Sequence, residues 1–241
     1  MLTKTEAIVL HSIKYGESKM VIDMFTRQHG RLSFVASLPK SAHGKLKKQY
    51  FQPLTLLNIE FDLRPLQQLQ KLRDASLLFP LSTLLYDPTK LSISLFLSEF
   101  LYHALKSEQN NVPLFDYITS SIQWLDNCED RYANFHLVFL MHLTRFLGFY
   151  PNLEDSGELY FDLRSACFCH TVPLHRDFLM PQEASIVKLM MRMDYPTMHL
   201  FHMNRQQRNR CIEVALLFYR IHLPDFPDLR SLEVLKELWA G

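Results

Sequence analysis

Glycine is scarce in this chain of 241 residues, which holds only six: Gly16, Gly30, Gly44, Gly148, Gly157 and Gly241. No two of them lie closer than nine positions, so the chain has neither a GxGxxG dinucleotide loop nor a GxSxG nucleophile elbow. The segment nearest to a phosphate-binding loop is 43–46, but Pro39 stands where its first glycine belongs and Leu46 where a magnesium-ligating hydroxyl belongs. The sequence therefore excludes nucleotide hydrolysis by that kind of loop.

Cysteine is also rare, with four residues, and the first six residues show no apolar core of a signal peptide. No apolar run approaches the roughly 18 residues that a transmembrane helix requires. We therefore expect a reduced, cytoplasmic protein without a membrane partner.

The formal net charge of +1 hides an uneven distribution of charge. Residues 1–80 hold 12 Lys and Arg against 6 Asp and Glu, a balance of +6. Residues 81–241 hold 14 against 19, a balance of −5. The chain thus has a basic first third and an acidic remainder.

The basic third has the hydrophobic pattern of β-strands. Residues 6–15 alternate between two faces, and β-forming segments follow at 19–27, 32–35, 54–63 and 66–77. Five short strands in about 80 residues, which loop length suggests are antiparallel, predict a small closed or nearly closed barrel. An OB-type barrel is the leading interpretation, and an SH3-like barrel is the rival.

From Pro88 onward the hydrophobic period is helical. Asp87 and Pro88 are an N-cap and a first-turn proline, and they precede the stripe of Leu91, Leu95, Ser98, Leu101 and Leu105. Further helices are predicted over 114–125, 135–147, 184–193, 204–222 and 229–239. The predicted fold class is α+β, with an OB-type barrel domain at 1–80 and an all-α helical domain at 81–241 that carries an irregular insertion at about 152–181.

The insertion contains the residues that could bind a metal: Cys167, Cys169, His170 and His175. Structural zinc sites usually present C-x₂-C pairs, whereas this spacing is C-x-C with no second pair. We therefore favour two buried thiols in a short strand over zinc, and we expect no cofactor. We interpret the acids Glu154, Asp155, Glu158 and Asp162 as a solvated face rather than a metal site, and His136, His142, His199 and His202 as partly buried imidazoles. No residues are spaced as a catalytic triad, so nothing here indicates an enzyme.

The segment 40–48 is a stronger candidate, because it holds four lysines and no acid between two predicted barrel strands. A charge run is often only a solvated surface, but loops and sheet faces of OB-type barrels form grooves that follow a nucleic-acid backbone. The predicted DNA-binding cations are Arg27, Arg31, Lys40, Lys45, Lys47, Lys48, Arg64, Lys71 and Arg73. Tyr15, Phe34, Tyr50 and Phe51 are interleaved with them, and at least half of these rings are expected in the core.

Six segments along nearly the whole chain carry a further signal: Thr5–Leu10, Tyr15–Ser18, Phe25–Leu32, Gln52–Leu54, Leu147–Pro151 and Ser231–Leu235. In sequence and in order they resemble the RecO family of bacterial DNA repair proteins. The resemblance implies a recombination mediator that is not an enzyme and uses no ATP. It implies binding of single- and double-stranded DNA, strand annealing and, with RecR, loading of RecA onto DNA coated by single-stranded DNA-binding protein. The chain would then be associated with the nucleoid.

The resemblance also implies two features of the helical domain. Many family members carry a four-cysteine zinc module, of which Phe161, Asp162, Cys167 and Cys169 look like a remnant, so we expect the insertion to fold by packing without metal. The family binds the acidic, hydrophobic-ended tail of single-stranded DNA-binding protein, and a tail of this kind needs cations around an apolar pocket. The candidate residues are Arg131, Arg145, Arg205, Arg208 and Arg210.

Two other functions stay open. One is a barrel-plus-bundle adaptor that binds protein rather than DNA, with its lysine loop serving solubility. The other is a metal-dependent nuclease that uses the acids near residue 155, although the sequence offers no spaced carboxylate pattern for it.

Overall fold

The computed structural model describes residues 1–38, 46–154, 157 and 159–237. These residues form two compact units, the first made of Met1–Asn127 and Leu229–Leu235. The second unit is Cys128–Asp228, to which Lys236 and Glu237 also belong. Among the described helices, none combines the length and the apolar character needed to span a bilayer.

The order of elements follows the predicted division into strands and then helices. The barrel strands are β1 (Leu2–Tyr15), β2 (Lys19–Thr26), β3 (Gly30–Ser37), β4 (Leu56–Asp62) and β5 (Leu69–Leu77), with a 3₁₀ helix (Lys48–Phe51) before β4. The later elements are α1 (Pro88–Ala104), α2 (Val112–Asn127), α3 (Phe135–Leu147), β6 (Tyr160–Asp162), β7 (Cys167–Cys169), β8 (Phe178–Leu179), α4 (Pro181–Met191), a second 3₁₀ helix (Met198–Leu200), α5 (Arg205–His222) and α6 (Ser231–Glu237).

The five strands close into a barrel in the order β1-β2-β3-β5-β4, which confirms the predicted fold class. The prediction that all strands pair antiparallel is wrong for one pair, because β3 and β5 run parallel. The reason is the connection from β3, since the chain crosses to place β4 beside β1 and β5 then returns between β4 and β3. Loop length alone does not reveal this crossover, whereas short antiparallel links do join β1 to β2 and β2 to β3.

Alternation along the strands fills the barrel interior. Ala7, Val9, Ile22, Phe34 and Ile59 are among the core side chains, and each is at most 1% exposed. Residues that lie opposite one another on paired strands are on the same face of the sheet. The residues between these core positions in sequence therefore lie on the other face, outside the barrel. The ring of Phe51, at the end of the 3₁₀ helix, also lies in this core.

The first unit also contains α1 and α2. Asp87 caps α1, because its side chain accepts hydrogen bonds from the backbone N–H groups of Thr89 and Lys90. The predicted apolar stripe of α1 is only partly correct, since Leu95 is 43% exposed while Phe96 and Phe100 are fully buried. The reason is that α1 is buried on more than one side, whereas a single stripe describes only one buried side.

The second unit contains α3, α4 and α5. Gly148 ends α3 with a φ of 86°, the left-handed conformation in which glycine has no side-chain penalty. Asn204 and Gln207 form a capping box at the start of α5. The predicted domain boundary at residue 80 falls between β5 and α1, whereas the compact units divide after Asn127, and the boundary stays a prediction.

The insertion is more regular than the sequence indicates, because β7, β6 and β8 form a small antiparallel sheet. Its centre is apolar, with Phe161 fully buried and in edge contact with Phe168 and Phe218. Cys167 and Cys169 lie in a short strand, as predicted, but both thiols are half-buried rather than buried, because they occupy the positions that flank Phe168.

Candidate nucleic-acid interface

One outer face of the barrel combines exposed apolar and cationic side chains. Strand register places Tyr15 beside Lys19, and Lys19 beside Ser37. A second row lies two residues further along each strand. It pairs Ile13 with Val21, Val21 with Val35, and Val35 with Lys71. We define the exposed barrel face by the members of both rows: Ile13, Tyr15, Lys19, Val21, Val35, Ser37 and Lys71.

The chemistry of this face suits a polyanion that carries aromatic groups. Tyr15, the last residue of β1, is 64% exposed and Ile13 is 48% exposed, and large apolar side chains that are exposed together mark interaction surfaces. Lys19 and Lys71 are exposed, and neither forms an ion pair with any described residue. Both ammonium groups are therefore available to phosphate, with a phenol ring beside one of them.

Three of the predicted DNA-binding cations instead make contacts within the first unit. Arg27 contacts the carboxylates of Glu6 and Asp116, each at 2.9 Å. Arg73 pairs with Asp62 through its Nε and Nη2 atoms at 2.8 and 2.6 Å. Carboxylates on these guanidinium groups already balance their charge, which weakens them as phosphate ligands.

Arg31 is the third of these cations and the most enclosed. Its guanidinium carbon lies 4.3 Å from the centroid of the Tyr102 ring, and its Nη1 donates to the carbonyl oxygen of Tyr102 at 2.7 Å. The Nη2 atom of Arg31 also lies 3.7 Å from the carboxylate of Asp23. These contacts attach the start of β3 to α1, which gives Arg31 a structural role in the first unit.

Three more of the predicted cations lie around the 3₁₀ helix and the β4–β5 turn. Lys47 and Lys48 are exposed, and the Lys47 ammonium lies 5.9 Å from the centroid of the Tyr50 ring. Arg64 lies in the turn, where its Nη1 reaches the side chain of Gln67 at 3.4 Å. Lys40 and Lys45 lie outside the described residues.

The four aromatic candidates divide as expected between core and surface. Phe34 and Phe51 are at most 1% exposed and belong to the barrel core, whereas Tyr50 is partly buried and Tyr15 is exposed. Ile13 and Lys19 were not among the residues that the sequence pointed to. Simple alternation puts Ile13 and Tyr15 on the side of the core residues Ala7 and Val9, and the register shift between Val9 and His11 turns them outward instead.

Two of the five predicted tail-binding arginines line one cleft of the second unit. The cleft has a volume of about 860 Å³, and its wall includes Arg131, Arg208, Leu200, Phe201 and Met203. No carboxylate is among its lining residues, while Leu200 is 64% exposed. The cleft therefore combines apolar side chains with positive charge.

The two arginines of this cleft differ in their exposure and in the number of contacts that hold their side chains. Arg131 is an exposed side chain whose Nε lies 3.5 Å from the carboxylate of Asp130. Arg208 is only 7% exposed, and it donates to the side-chain oxygen of Asn134 and to the carbonyl oxygen of Met203, each at 3.0 Å. Arg208 supports the wall of the cleft, and Arg131 is the residue that can move toward a ligand.

The other three arginines do not line this cleft. Arg145 stacks on Tyr150, with 4.6 Å between the guanidinium carbon and the ring centroid. The Nε of Arg205 donates to the carbonyl oxygen of Lys236 at 2.8 Å. Arg210 is ion-paired with Glu183 and Glu213, so its charge is balanced by two carboxylates.

The groups considered for metal binding are engaged in turns and core packing. Asp162 accepts hydrogen bonds from the backbone N–H groups of Arg164 and Ser165, and it lies 3.3 Å from His175. Burial of the Cys169 thiol and the nearby Asp162 carboxylate raise the pKa of this cysteine, which disfavours the thiolate that metals require. Within the described ranges, no group of three His, Cys, Asp or Glu residues is placed to hold a metal ion.

Comparison with known proteins covers both parts of the chain. The family model described as "Recombination protein O N terminal" matches residues 1–81, and the one described as "Recombination protein O C terminal" matches residues 85–233. The chain belongs to the RecO family. The resemblance seen in the sequence motifs is thus confirmed over both matched ranges.

Individual RecO proteins are similar to the chain over its full length. A DNA repair protein RecO of Phocaeicola vulgatus is 51% identical over 241 residues, which is 100% of each chain. The RecO of Bacteroides fragilis is 49% identical, covering 99% of this chain and 100% of its own, and that of Flavobacterium psychrophilum is 32% identical over 100% of both. These relatives place the chain in a family of DNA repair proteins.

Proposed function

We propose that this RecO family chain acts in DNA repair as a recombination mediator without catalytic activity of its own. It binds single- and double-stranded DNA, anneals complementary strands and, with RecR, helps to load RecA onto DNA coated by single-stranded DNA-binding protein. The observation that carries the DNA-binding part is the exposed barrel face, where Tyr15 lies beside Lys19 in register. Family membership supports the remaining steps.

The mechanism is electrostatic. Lys19 and Lys71 neutralise phosphates and release condensed counterions, while the Tyr15 ring stacks on a base whatever its identity. The face offers few groups for reading base edges, so most edges of the bound strand stay free for a complementary strand. Annealing then follows from holding two strands at a raised local concentration.

Replacing Lys19 and Lys71 together by alanine is expected to lower the salt dependence of single-strand binding. Each phosphate contact contributes about −0.7 to the slope of log K against log salt, so the slope should lose about 1.4. The measurement is fluorescence anisotropy of a labelled oligothymidylate over a series of salt concentrations. Lys4→Ala is the matched control, because this lysine is already paired with Glu60 at 2.5 Å.

The outcomes of that titration separate the alternatives. An unchanged slope in the double variant would move the DNA interface away from the exposed barrel face, and Lys47→Ala with Lys48→Ala would then be tested in the same way. Wild-type protein that fails to bind at low salt would instead favour the adaptor function. A strand-annealing assay with and without the cognate single-stranded DNA-binding protein then tests mediation.

The cleft beside Arg131 is the place we propose for the acidic tail of single-stranded DNA-binding protein. A carboxylate-rich, hydrophobic-ended peptide matches a wall that offers Arg131 and Arg208 together with exposed Leu200. This assignment retains two of the five arginines that the sequence suggested.

Arg131→Ala is expected to weaken binding of a labelled tail peptide roughly tenfold. A hydrogen bond to a charged group contributes about 1.5–3 kcal/mol, and about 1.4 kcal/mol corresponds to a factor of ten. Arg145→Ala is the control, since it removes the same charge from the same unit but outside the cleft. Both variants are measured by isothermal titration, and equal affinities would contradict the placement.

A further inference from the structure

A second groove of the first unit lies apart from the face defined above. It is bounded by the 3₁₀ helix Lys48–Phe51, by the end of β5 at Leu77, and by the segment that leads into α1. Its volume is about 410 Å³, within the range of about 300–1,000 Å³ that small-molecule sites occupy. All of its lining residues belong to the first unit.

The walls of this groove are mainly aromatic and aliphatic. Tyr50 and Phe79 are partly buried, while Tyr86 is 79% exposed and Leu77 is 43% exposed. Exposed large side chains around a concave surface indicate a binding site for a flat apolar group. Two tyrosines supply rings that can stack on such a group.

The groove also has one buried hydrogen-bonding group that lacks a partner among the described residues. Thr55 lines it and is 2% exposed, and its hydroxyl oxygen has no hydrogen-bond partner among the described residues. A buried hydroxyl without a partner is unfavourable, and a ligand with a donor or acceptor at its edge relieves the deficit. Gln49 and Gln52 add two exposed side-chain amides, each of which can donate and accept.

The charge around the groove is positive. Lys47 and Lys48 lie beside it on the chain, and both are exposed without an ion pair to any described residue. No carboxylate is among the residues that line the groove. An occupant with a negative charge next to a planar ring therefore fits better than a neutral peptide segment.

We propose that this groove holds one unpaired base of single-stranded DNA, with the flanking phosphates on Lys47 and Lys48. This inference rests on the proposed function, and it adds a base-binding subsite outside the exposed barrel face. A hydrophobic peptide side chain fills the apolar part but leaves the Thr55 hydroxyl unpaired, whereas the edge of a base satisfies it. Hydroxyl and amide groups both donate and accept, so the subsite tolerates every base.

The test compares two probes of equal length, an oligothymidylate and an oligomer of abasic residues with the same phosphates. Tyr86→Ala is expected to weaken oligothymidylate binding roughly tenfold, since base stacking lies in the range of about 5–150-fold per base, and to leave the abasic probe unchanged. Leu66→Ala, at a fully exposed position of the β4–β5 turn, is the control for loss of an exposed side chain. Equal affinity of wild type and Tyr86→Ala for oligothymidylate overturns the subsite.

Two further measurements distinguish base binding in this groove from stacking on the exposed barrel face. Photo-crosslinking with an iodouracil-substituted strand is expected to label Tyr50 or Tyr86, and labelling confined to Tyr15 would assign all stacking to the exposed barrel face. Thr55→Val keeps the side-chain volume, and we expect it to raise thermal stability while lowering oligothymidylate affinity. If neither probe binds wild-type protein, the proposed DNA binding itself fails, which is a different result from loss of base dependence alone.

Discussion

Asp126→Ala is expected to lower the free energy of unfolding by about 3–5 kcal/mol, because it leaves three backbone N–H groups without an acceptor and each buried group left unsatisfied costs about 1–3 kcal/mol. The Asp126 side chain is 1% exposed, and its carboxylate accepts hydrogen bonds from three consecutive backbone N–H groups. Those groups belong to Ser82, Thr83 and Leu84, at distances of 2.9, 2.8 and 2.7 Å. Without the carboxylate they lose their partner, and Leu84 is fully buried.

The same segment is attached to α2 by a second polar contact. The Lys90 side chain is 2% exposed, and its ammonium donates to the Thr83 hydroxyl at 2.6 Å and to the carbonyl oxygen of Asp126 at 3.0 Å. The chain between barrel and helices is thus fixed to the end of α2 by hydrogen bonds in addition to the burial of Leu84. Loss of the carboxylate should therefore loosen the start of α1 as well.

Urea denaturation of Asp126→Ala, Asp126→Asn and Asp116→Ala tests this interpretation. Asparagine retains one acceptor oxygen and should lose less stability than alanine. Asp116 is the matched control on the same helix, because its side chain is 49% exposed and its pair with Arg27 contributes only about 0–1 kcal/mol. A loss in Asp126→Ala no larger than that in Asp116→Ala would contradict the role of the carboxylate.

The pH dependence of stability gives an independent measurement of the same group. Burial on its own would raise the pKa of Asp126, but hydrogen bonds from Ser82, Leu84 and Thr83 outweigh it and hold the pKa below its usual value. A depressed pKa means that the stabilisation is present above the unfolded value of about 3.9 and is lost as pH falls through the folded value. Wild type should therefore lose stability in acid more steeply than Asp126→Asn.

The fold was predictable where one periodicity describes the burial of a segment. Strand β5 alternates between exposed and buried positions from Leu69 to Arg73, and α2 buries Leu114, Ile118, Ile122 and Leu125 as its stripe predicts. The parallel pairing of β3 with β5 was not predictable from loop length, because it depends on where β4 inserts in the sheet. The burial of Lys90 was missed for a related reason, since its oxygen partners come from residues 7 and 36 positions away.

The candidate site was only partly predictable, because sequence shows where cations are but not which of them already have partners. Arg27 and Arg31 are close to the lysine loop in sequence, yet their ligands Asp116 and Tyr102 lie 89 and 71 positions away. Lys19 is an isolated lysine in sequence, and cross-strand register alone brings it beside Tyr15 and into the face shared with Lys71. The predicted DNA-binding set thus stays a prediction, with Lys71 and the pair Lys47 and Lys48 its best-placed members.

Gly30→Ala is the second substitution with a large expected effect on stability. Gly30 has a φ of +66°, and a Cβ atom there would lie 2.6 Å from the backbone carbon of Gln109 and from the backbone oxygen of Glu108. The left-handed conformation costs a non-glycine residue about 1–2 kcal/mol, and overpacking adds about 1–3 kcal/mol. The expected loss is therefore about 2–5 kcal/mol.

Gly16→Ala separates the two contributions, because Gly16 has nearly the same φ, +67°, but nothing lies within 4 Å of its Cβ position. It should lose only the conformational part, about 1–2 kcal/mol. The difference between the two variants in urea denaturation then measures the contact between the start of β3 and the loop after α1, where the Arg31 N–H also donates to the Glu108 carbonyl oxygen at 3.2 Å. Equal losses would mean that this loop moves aside freely.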